Sequence, residues 1–207
     1  MNEEAEATGR ALRKKVPRSS HAHWSAPSDR PSPVDVITSQ NSSRLQWLVP
    51  IRHWRMAESP FTFYRGAAKL MALDLVSTPS TGVNAQISGD AHLSNFGLYG
   101  SPERDLVFDV NDFDETLPGP WEWDVKRLAA SFAIAAEHNR LGSHDQVDLA
   151  VASAAAYRKA MRQFAGHRFL DVWYAIVDED DIARVFRDEL TKKERKTGKR
   201  FVAKVRS

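Results

Sequence analysis

The chain has 207 residues, enough for one domain with a proper core and too few for two comfortable ones. A formal net charge of +2 singles out no nucleic-acid or membrane partner, and the lack of cysteine rules out disulfides, thiol nucleophiles and thiolate metal sites. No apolar run approaches the roughly 18 residues of a membrane span and no apolar signal core opens the chain, so a cytoplasmic protein without a membrane partner is expected.

Residues 1–30 are polar, with a basic cluster from Arg10 to Lys15 and a histidine pair, His21 and His23. They are expected to form a flexible arm, disordered or loosely docked. The alternative is an arm that closes over an anionic ligand. Neither histidine has an acidic neighbour, so both are expected in solvent rather than on a metal.

A domain is expected over 31–190. Ser32 can cap a short helix from Pro33 to Ser39. Across Leu45 to Met56, Pro50 is expected to interrupt any regular element while the apolar residues pack on the core. Ser59-Pro60 is a helix start, and Phe61, Tyr64, Ala68, Met71 and Leu75 then recur at three and four, which predicts one amphipathic helix of about four turns. Arg65 and Lys69 stand four apart on it and share a side, two cations available to a phosphate.

Past a turn at 78–82, a strand is expected over Val83–Ser88. Two more, Phe96–Tyr99 and Leu106–Val110, are joined by the turn-rich Gly100–Asp105. Leu117-Pro118-Gly119-Pro120 is expected to break the chain. Helical spacing runs from Trp121 to His138, with Asp124 in a first turn that suits the dipole. A second helix is expected from Ser143, its cap, to Phe164, turning Val147, Val151, Ala154, Tyr157, Met161 and Phe164 inward. Phe169 to Val177 is apolar without a clear period, and Asp178 to Asp181 can cap a helix through Leu190. Residues 191–207 form a basic tail. With six lysines and arginines against one glutamate over Thr191–Arg200 and no aromatic interleaving, it is read as solvated, with no nucleic-acid partner. The fold class expected is α+β, mostly helical, with a small β-hairpin carrying the polar site.

That site is the stretch Gly89–Glu115, which sets Asp90, His92, Asn95, Asp109, Asn111, Asp112, Asp114 and Glu115 against apolar runs. Carboxylates crowded in this way repel one another and lose hydration, so a cation or a reacting group is expected to compensate. Oxygen ligands without cysteine favour magnesium, manganese or calcium, and magnesium takes one or two carboxylates plus phosphate oxygens. Asp90, then Asn95, then Asp112 after a strand reproduces the kinase order of a hydroxyl-orienting aspartate, a metal asparagine and a metal aspartate. Asp114 stands where that template has glycine. Asp109 competes with Asp112 as the metal aspartate. On one strand the two face opposite ways, so both can line one pocket only if the strand ends between them.

Four strings, SPFTFYRGAAKLMALDL (59–75), GDAHLSNFG (89–97), VFDVNDFDE (107–115) and WDVKRLAAS (123–131), together resemble the bacterial family of unknown function DUF2252, over about Gly9 to the Asp178 region. That family in turn resembles the protein-kinase-like superfamily, close to the aminoglycoside phosphotransferases. The link lies in the Asp90–Asn95 loop, where Ser88 replaces the usual histidine, and in the interval from Asp112 to Asp124. The resemblance implies a fold like the C-terminal lobe of a kinase, ATP as phosphoryl donor, magnesium or manganese as the ion, and an unidentified small-molecule acceptor. It implies Asp90 as the catalytic residue and Asn95 and Asp112 as metal ligands, with Asp114 or Asp109 as a second or outer one. Arg65, ahead of Lys69, would meet phosphate, and His92 and Asp124 would support the loop, Asp124 by binding its backbone. Family members are longer, and their glycine-rich segment with its lysine lies beyond Ser207. A truncated member is therefore expected, with self-association possible through the surface this bares.

Two other functions fit the same residues. Asp90, His92, Asp109 and Asp112 can be arranged to hold metals that activate water, as in a metal-dependent phosphohydrolase. A non-catalytic remnant that binds a partner is the third.

Overall fold

The computed structural model describes residues 3–185. The chain divides into two compact units, Met1–Leu93 with Asp112–Gly166 and Ser94–Asn111 with His167–Ser207. It is mostly helical with two small antiparallel sheets, an α+β protein. No helix among the described residues is long and apolar enough to cross a membrane.

The first unit opens with α1 (Glu3–Lys15), which has acidic residues in its first turn and basic ones in its last, as the helix dipole favours, and buries none of them. Composition did not suggest this helix. The arm is fastened further on: the Trp24 indole N–H donates to the Asp74 carbonyl at 3.1 Å, and Arg30 grips both Asp74 carboxylate oxygens at 2.6 and 2.8 Å.

Helices α2 (Pro33–Ser39), α3 (Val49–Met56), α4 (Pro60–Arg65) and α5 (Ala68–Val76) follow. Val36, Ile37, Met56, Ala67 and Leu70 make a buried apolar cluster among them. Ser32 precedes α2 without a side-chain cap bond. Pro50 does not interrupt the structure. It sits in the first turn of α3, where its missing N–H is no loss. Ser59 and Thr62 form a reciprocal capping box at the start of α4.

The single four-turn helix expected over 61–75 is instead two helices. The break at Gly66-Ala67 follows from packing, because a Cβ on Gly66 would stand 2.7 Å from Met56 Sδ and the Gly66 carbonyl is taken by Arg52 Nη2 at 2.8 Å. Arg65 and Lys69 therefore lie on different helices, and the four-residue spacing no longer puts them on one helix face.

Strand β1 (Asn84–Ile87) pairs antiparallel with Leu117–Pro120, a segment expected only to break the chain, so that Ile87 faces Leu117 and Asn84 faces Pro120. Prolines suit a two-stranded ladder, where each strand has an open edge. Gly119 lies under Ile87, whose Cδ1 would be 2.8 Å from any added Cβ. Numbered in chain order, the strands are β1, β2 (Phe96–Gly100), β3 (Leu106–Val110) and β4 (Leu117–Pro120).

Helix α6 (Trp121–His138) has the extent the spacing predicts, and α7 (Ser143–Phe164) packs along it, with Trp121 stacked on Tyr157 at 5.6 Å. The cap of α7 is Gly142 and not Ser143; the Gly142 N–H donates to Asp145 Oδ2 at 3.2 Å. The partly covered face of α7 is Gln146, Ala150, Ser153, Tyr157, Ala160 and Phe164. Val147 and Val151, expected inward, are each 61% exposed. Small residues allow the close approach to α6 and so choose the face that a hydrophobicity pattern alone would assign to valine.

In the second unit, β2 and β3 form the expected hairpin, with Phe96 opposite Val110. Val107 also bridges to Asp178, and the Phe108 N–H donates to the Val177 carbonyl at 2.7 Å. The apolar run from Phe169 contains α8 (Phe169–Trp173), and α9 (Glu179–Val185) follows Asp178, whose carboxylate accepts from the Asp181 N–H at 2.8 Å. The expected continuation of α9 to Leu190 and the basic tail 191–207 lie outside the described residues.

Candidate functional site

The β1–β4 ladder carries loop 88–93 past residues 112–116. Gly89 has φ +76°, and a Cβ there would fall 2.1 Å from the Glu115 carbonyl oxygen, so only glycine fits both the backbone and the gap. Thr116 closes the corner by donating its hydroxyl to the Ile87 carbonyl at 2.7 Å.

Helix α6 holds this loop by three side chains. Asp124 accepts from the Ser88 N–H at 2.7 Å and the Gly89 N–H at 3.1 Å. Arg127 donates through Nε to Asp90 Oδ1 at 2.7 Å, and its Nη2 bonds the same oxygen. Ser131, fully buried, accepts from the Leu93 N–H at 2.9 Å and donates to the Leu128 carbonyl at 2.7 Å. Positions 124, 127 and 131 are spaced three and four apart and so form one stripe down the helix. Ser88, Gly89, Asp90 and Leu93, four of the loop's six residues, are tied to it.

Arg127 is itself enclosed. Its side chain is 2% exposed, Nη2 also donates to the Tyr64 carbonyl at 2.9 Å, and the guanidinium lies 4.5 Å from the Tyr64 ring centre. The Tyr64 hydroxyl donates back to the Arg127 carbonyl at 2.9 Å. Burial pushes the Asp90 carboxyl above the usual carboxylate range; Arg127 pulls it down and Asp112 adds to the rise. The Asp124 carboxyl is raised as well, by burial, against the two N–H bonds that favour its anion.

His92 is 5% exposed, with Nε2 3.6 Å from Asp90 Oδ2 and a buried Nδ1 that has no hydrogen-bond partner. Burial first, then the charges of Arg127 and Arg65, lower its pKa to about 4, so the ring is neutral at pH 7. Its backbone N–H donates to the Asp90 carbonyl at 2.8 Å, which makes His92 part of the loop's own turn.

Four carboxylates share this corner of the first unit. Asp112 accepts from the Asp114 N–H at 3.1 Å, and the Glu115 carboxyl is raised by burial and then by the charges of Asp90, Asp112 and Asp114. The cations whose charge reaches the corner are Arg127, Arg65 and Arg44. Lys69 points elsewhere, its Nζ 3.5 Å from Ser39 Oγ.

Asn95 and Asp109 belong to the second unit. Asn95 is 4% exposed and its carbonyl accepts from the Asn111 N–H at 2.9 Å. Asp109 is exposed and accepts from the neighbouring Val110 N–H at 2.8 Å. Strand β3 ends at Val110, so the alternation that separates Asp109 from a residue three further on stops before Asp112.

Among the described residues no three histidine, aspartate or glutamate side chains come together as a metal-holding group. Magnesium that arrives already bound to phosphates asks only one or two carboxylates of a protein.

Sequence reasoning missed Arg127, Ser131 and Tyr64. The signal was present in WDVKRLAAS, where Asp, Arg and Ser recur at three and four in a helix otherwise rich in alanine and aliphatic residues. It missed Glu122 too, which is 3% exposed and accepts the Thr81 N–H and hydroxyl at 2.7 and 2.6 Å.

No curated protein and no solved structure matches the chain. The family described as "Uncharacterized protein conserved in bacteria (DUF2252)" matches residues 44–207, which takes in the loop, α6 and its polar stripe and leaves the arm outside. The chain belongs to the DUF2252 family.

Proposed function

We propose that this protein is a kinase-like phosphotransferase that moves the terminal phosphoryl group of ATP to the hydroxyl of a small acceptor. In this reading Asp90 aligns the acceptor hydroxyl, Asp112 meets the magnesium that arrives with the nucleotide, and Asp114 and Glu115 lie around it. Arg65 faces phosphate. The hydroxyl oxygen attacks the terminal phosphorus, the bond to the ADP oxygen breaks, and the hydroxyl proton leaves toward Asp90. Phosphoryl transfer asks little covalent work of a protein, so positioning and charge neutralisation are the contributions expected of these residues. A nucleotide donor would place the protein in the cytoplasm. Asn95 and Asp109 are given no part in this reading, which rests on the first unit.

The observation that carries the proposal is the fastening of loop 88–93 to α6 at Ser88, Gly89, Asp90 and Leu93. A loop held at four points fixes a carboxylate in advance, as alignment of a hydroxyl requires. Calorimetric titration with magnesium and ATP, on the wild type and on Asp112→Ala, tests it. Magnesium-dependent binding that Asp112→Ala weakens is the expected result; equal affinities remove Asp112 from the metal, and no binding to either removes the nucleotide.

One observation favours a second reading. Two nitrogens of a buried arginine bond the same oxygen of Asp90, an arrangement that also suits a non-catalytic binding protein built around a structural ion pair. Phosphoryl transfer that is lost in Asp90→Asn while the fold is kept separates the two. The phosphohydrolase reading needs ions held by the protein, and no feature of the corner favours it.

A further inference from the structure

A cavity of about 360 Å³ opens in the first unit where the arm meets α4, α5 and α6. We propose that it binds a small aromatic or branched-chain carboxylic acid, independently of the nucleotide reading. Its walls are apolar and come from Trp24, Phe63, Leu70 and Leu75, while its polar lining includes His21 and Lys126. That volume lies at the lower end for ligand pockets, which suits a molecule of roughly a dozen non-hydrogen atoms.

The arm is held as a wall and not as a loose cover. Arg30 lies 5.8 Å over the Trp24 ring while gripping Asp74, and the Trp24 N–H bonds the Asp74 carbonyl. Both Asp74 carboxylate oxygens are thereby engaged by Arg30, so this acid does not compete for the cavity's cation.

The polar groups define the ligand's head. Lys126 Nζ donates to Thr78 Oγ1 at 2.7 Å and, as an ammonium, has three N–H groups to give. His21 Nδ1 is buried without a hydrogen-bond partner. Burial and then the charge of Lys126 lower the His21 pKa, against Glu122, which favours the neutral ring with its one N–H. Burial also lowers the Lys126 pKa, a penalty that an anion beside it would relieve. Glu122, a negative group that acts on both, has one oxygen turned to Thr81. An apolar body with a carboxylate at one end satisfies the walls and the two polar groups together.

Calorimetry on the full chain at pH 7 with 3-phenylpropionate, 3-phenylpropanamide and 3-phenylpropylamine tests this. The acid is expected to bind, the amide more weakly and the amine not at all. Lys126→Gln should weaken the acid by about tenfold, as loss of one charge-assisted hydrogen bond does, and leave the amide unchanged. Equal binding of all three, or no binding of the acid at millimolar concentration, overturns the proposal. The three wild-type titrations decide it even if the variant fails to fold.

Discussion

Replacing Arg127 by methionine removes the cation from Asp90 and keeps the volume. The Asp90 side chain is 14% exposed and that of Arg127 2%, so the carboxylate left behind has little water to turn to. Removing one partner of a buried ion pair costs about 3–5 kcal/mol, and the lost stacking on Tyr64 adds about 1 kcal/mol. Against a typical stability of about 5–15 kcal/mol, Arg127→Met should remove at least a quarter of the total. The assay is urea unfolding followed by tryptophan fluorescence at pH 7.5 and pH 5.5.

The sign of the pH effect follows from linkage. Arg127 lowers the Asp90 pKa, so its removal raises an already raised value, and the folded variant binds a proton before the unfolded chain does. Stability then falls as pH rises through the Asp90 window, and the deficit shrinks toward pH 5.5. Arg127 also lowers the His92 pKa, and its loss acts in the same direction. Adding Asp90→Asn removes the stranded charge, so the double variant should be more stable than Arg127→Met alone. An unchanged urea midpoint in Arg127→Met, or a deficit that grows toward acid, would refute this account.

Three more predictions rest on the same loop. Gly89 and Gly82 share a positive φ, at +76° and +79°, but only Gly89 faces a carbonyl oxygen, so Gly82→Ala should cost about 1 kcal/mol and Gly89→Ala several times that. Equal shifts in thermal midpoint would remove the Glu115 contact from the argument. Ser131→Ala leaves the Leu93 N–H without its acceptor and should cost about 1–3 kcal/mol while the Leu93 amide exchanges faster; unchanged protection at Leu93 contradicts it. His92, with a folded pKa of about 4, should show no imidazole titration by NMR between pH 5.5 and 8. Its lowered pKa contributes stability that is present above pH 6.5 and lost as pH falls from about 6.5 toward 4, so an imidazole midpoint near 6.5 would place it in solvent.

Much of the fold was legible because most of its elements are announced locally. Ser59-Pro60 marks a helix start, the apolar run at Leu106–Val110 marks a strand, and the spacing from Trp121 to His138 marks a helix whose ends the structure reproduces. The readings that failed depend on what the chain meets far away. Gly66 breaks a helix because Met56 lies against it, and Leu117–Pro120 becomes a strand because Ile87 offers a partner. Val147 and Val151 face outward because α6 accepts the small residues of α7 instead. No window of neighbours contains those facts. The polar corner was visible as a cluster of carboxylates, whereas the side chains that hold its loop were hidden by chemistry usually read as surface.

That last failure states what organises the first unit. An arginine and a serine on a helix ordinarily count toward its wet face, yet Arg127 and Ser131 are among the most buried residues of this chain. An apolar stripe would pack as tightly but would leave the N–H groups of Ser88, Gly89 and Leu93 and the carboxylate of Asp90 without partners, at about 1–3 kcal/mol for each amide and more for the charge. Directional bonds also fix what apolar contact leaves loose, because a hydrophobic face tolerates a small slide of the loop and a set of bonds at 2.7 to 3.1 Å does not. The stripe is therefore a device for position more than for stability. A loop that had only to close the turn between β1 and the next segment would need no such device, and the presence of one is the physical reason to look for chemistry at Asp90.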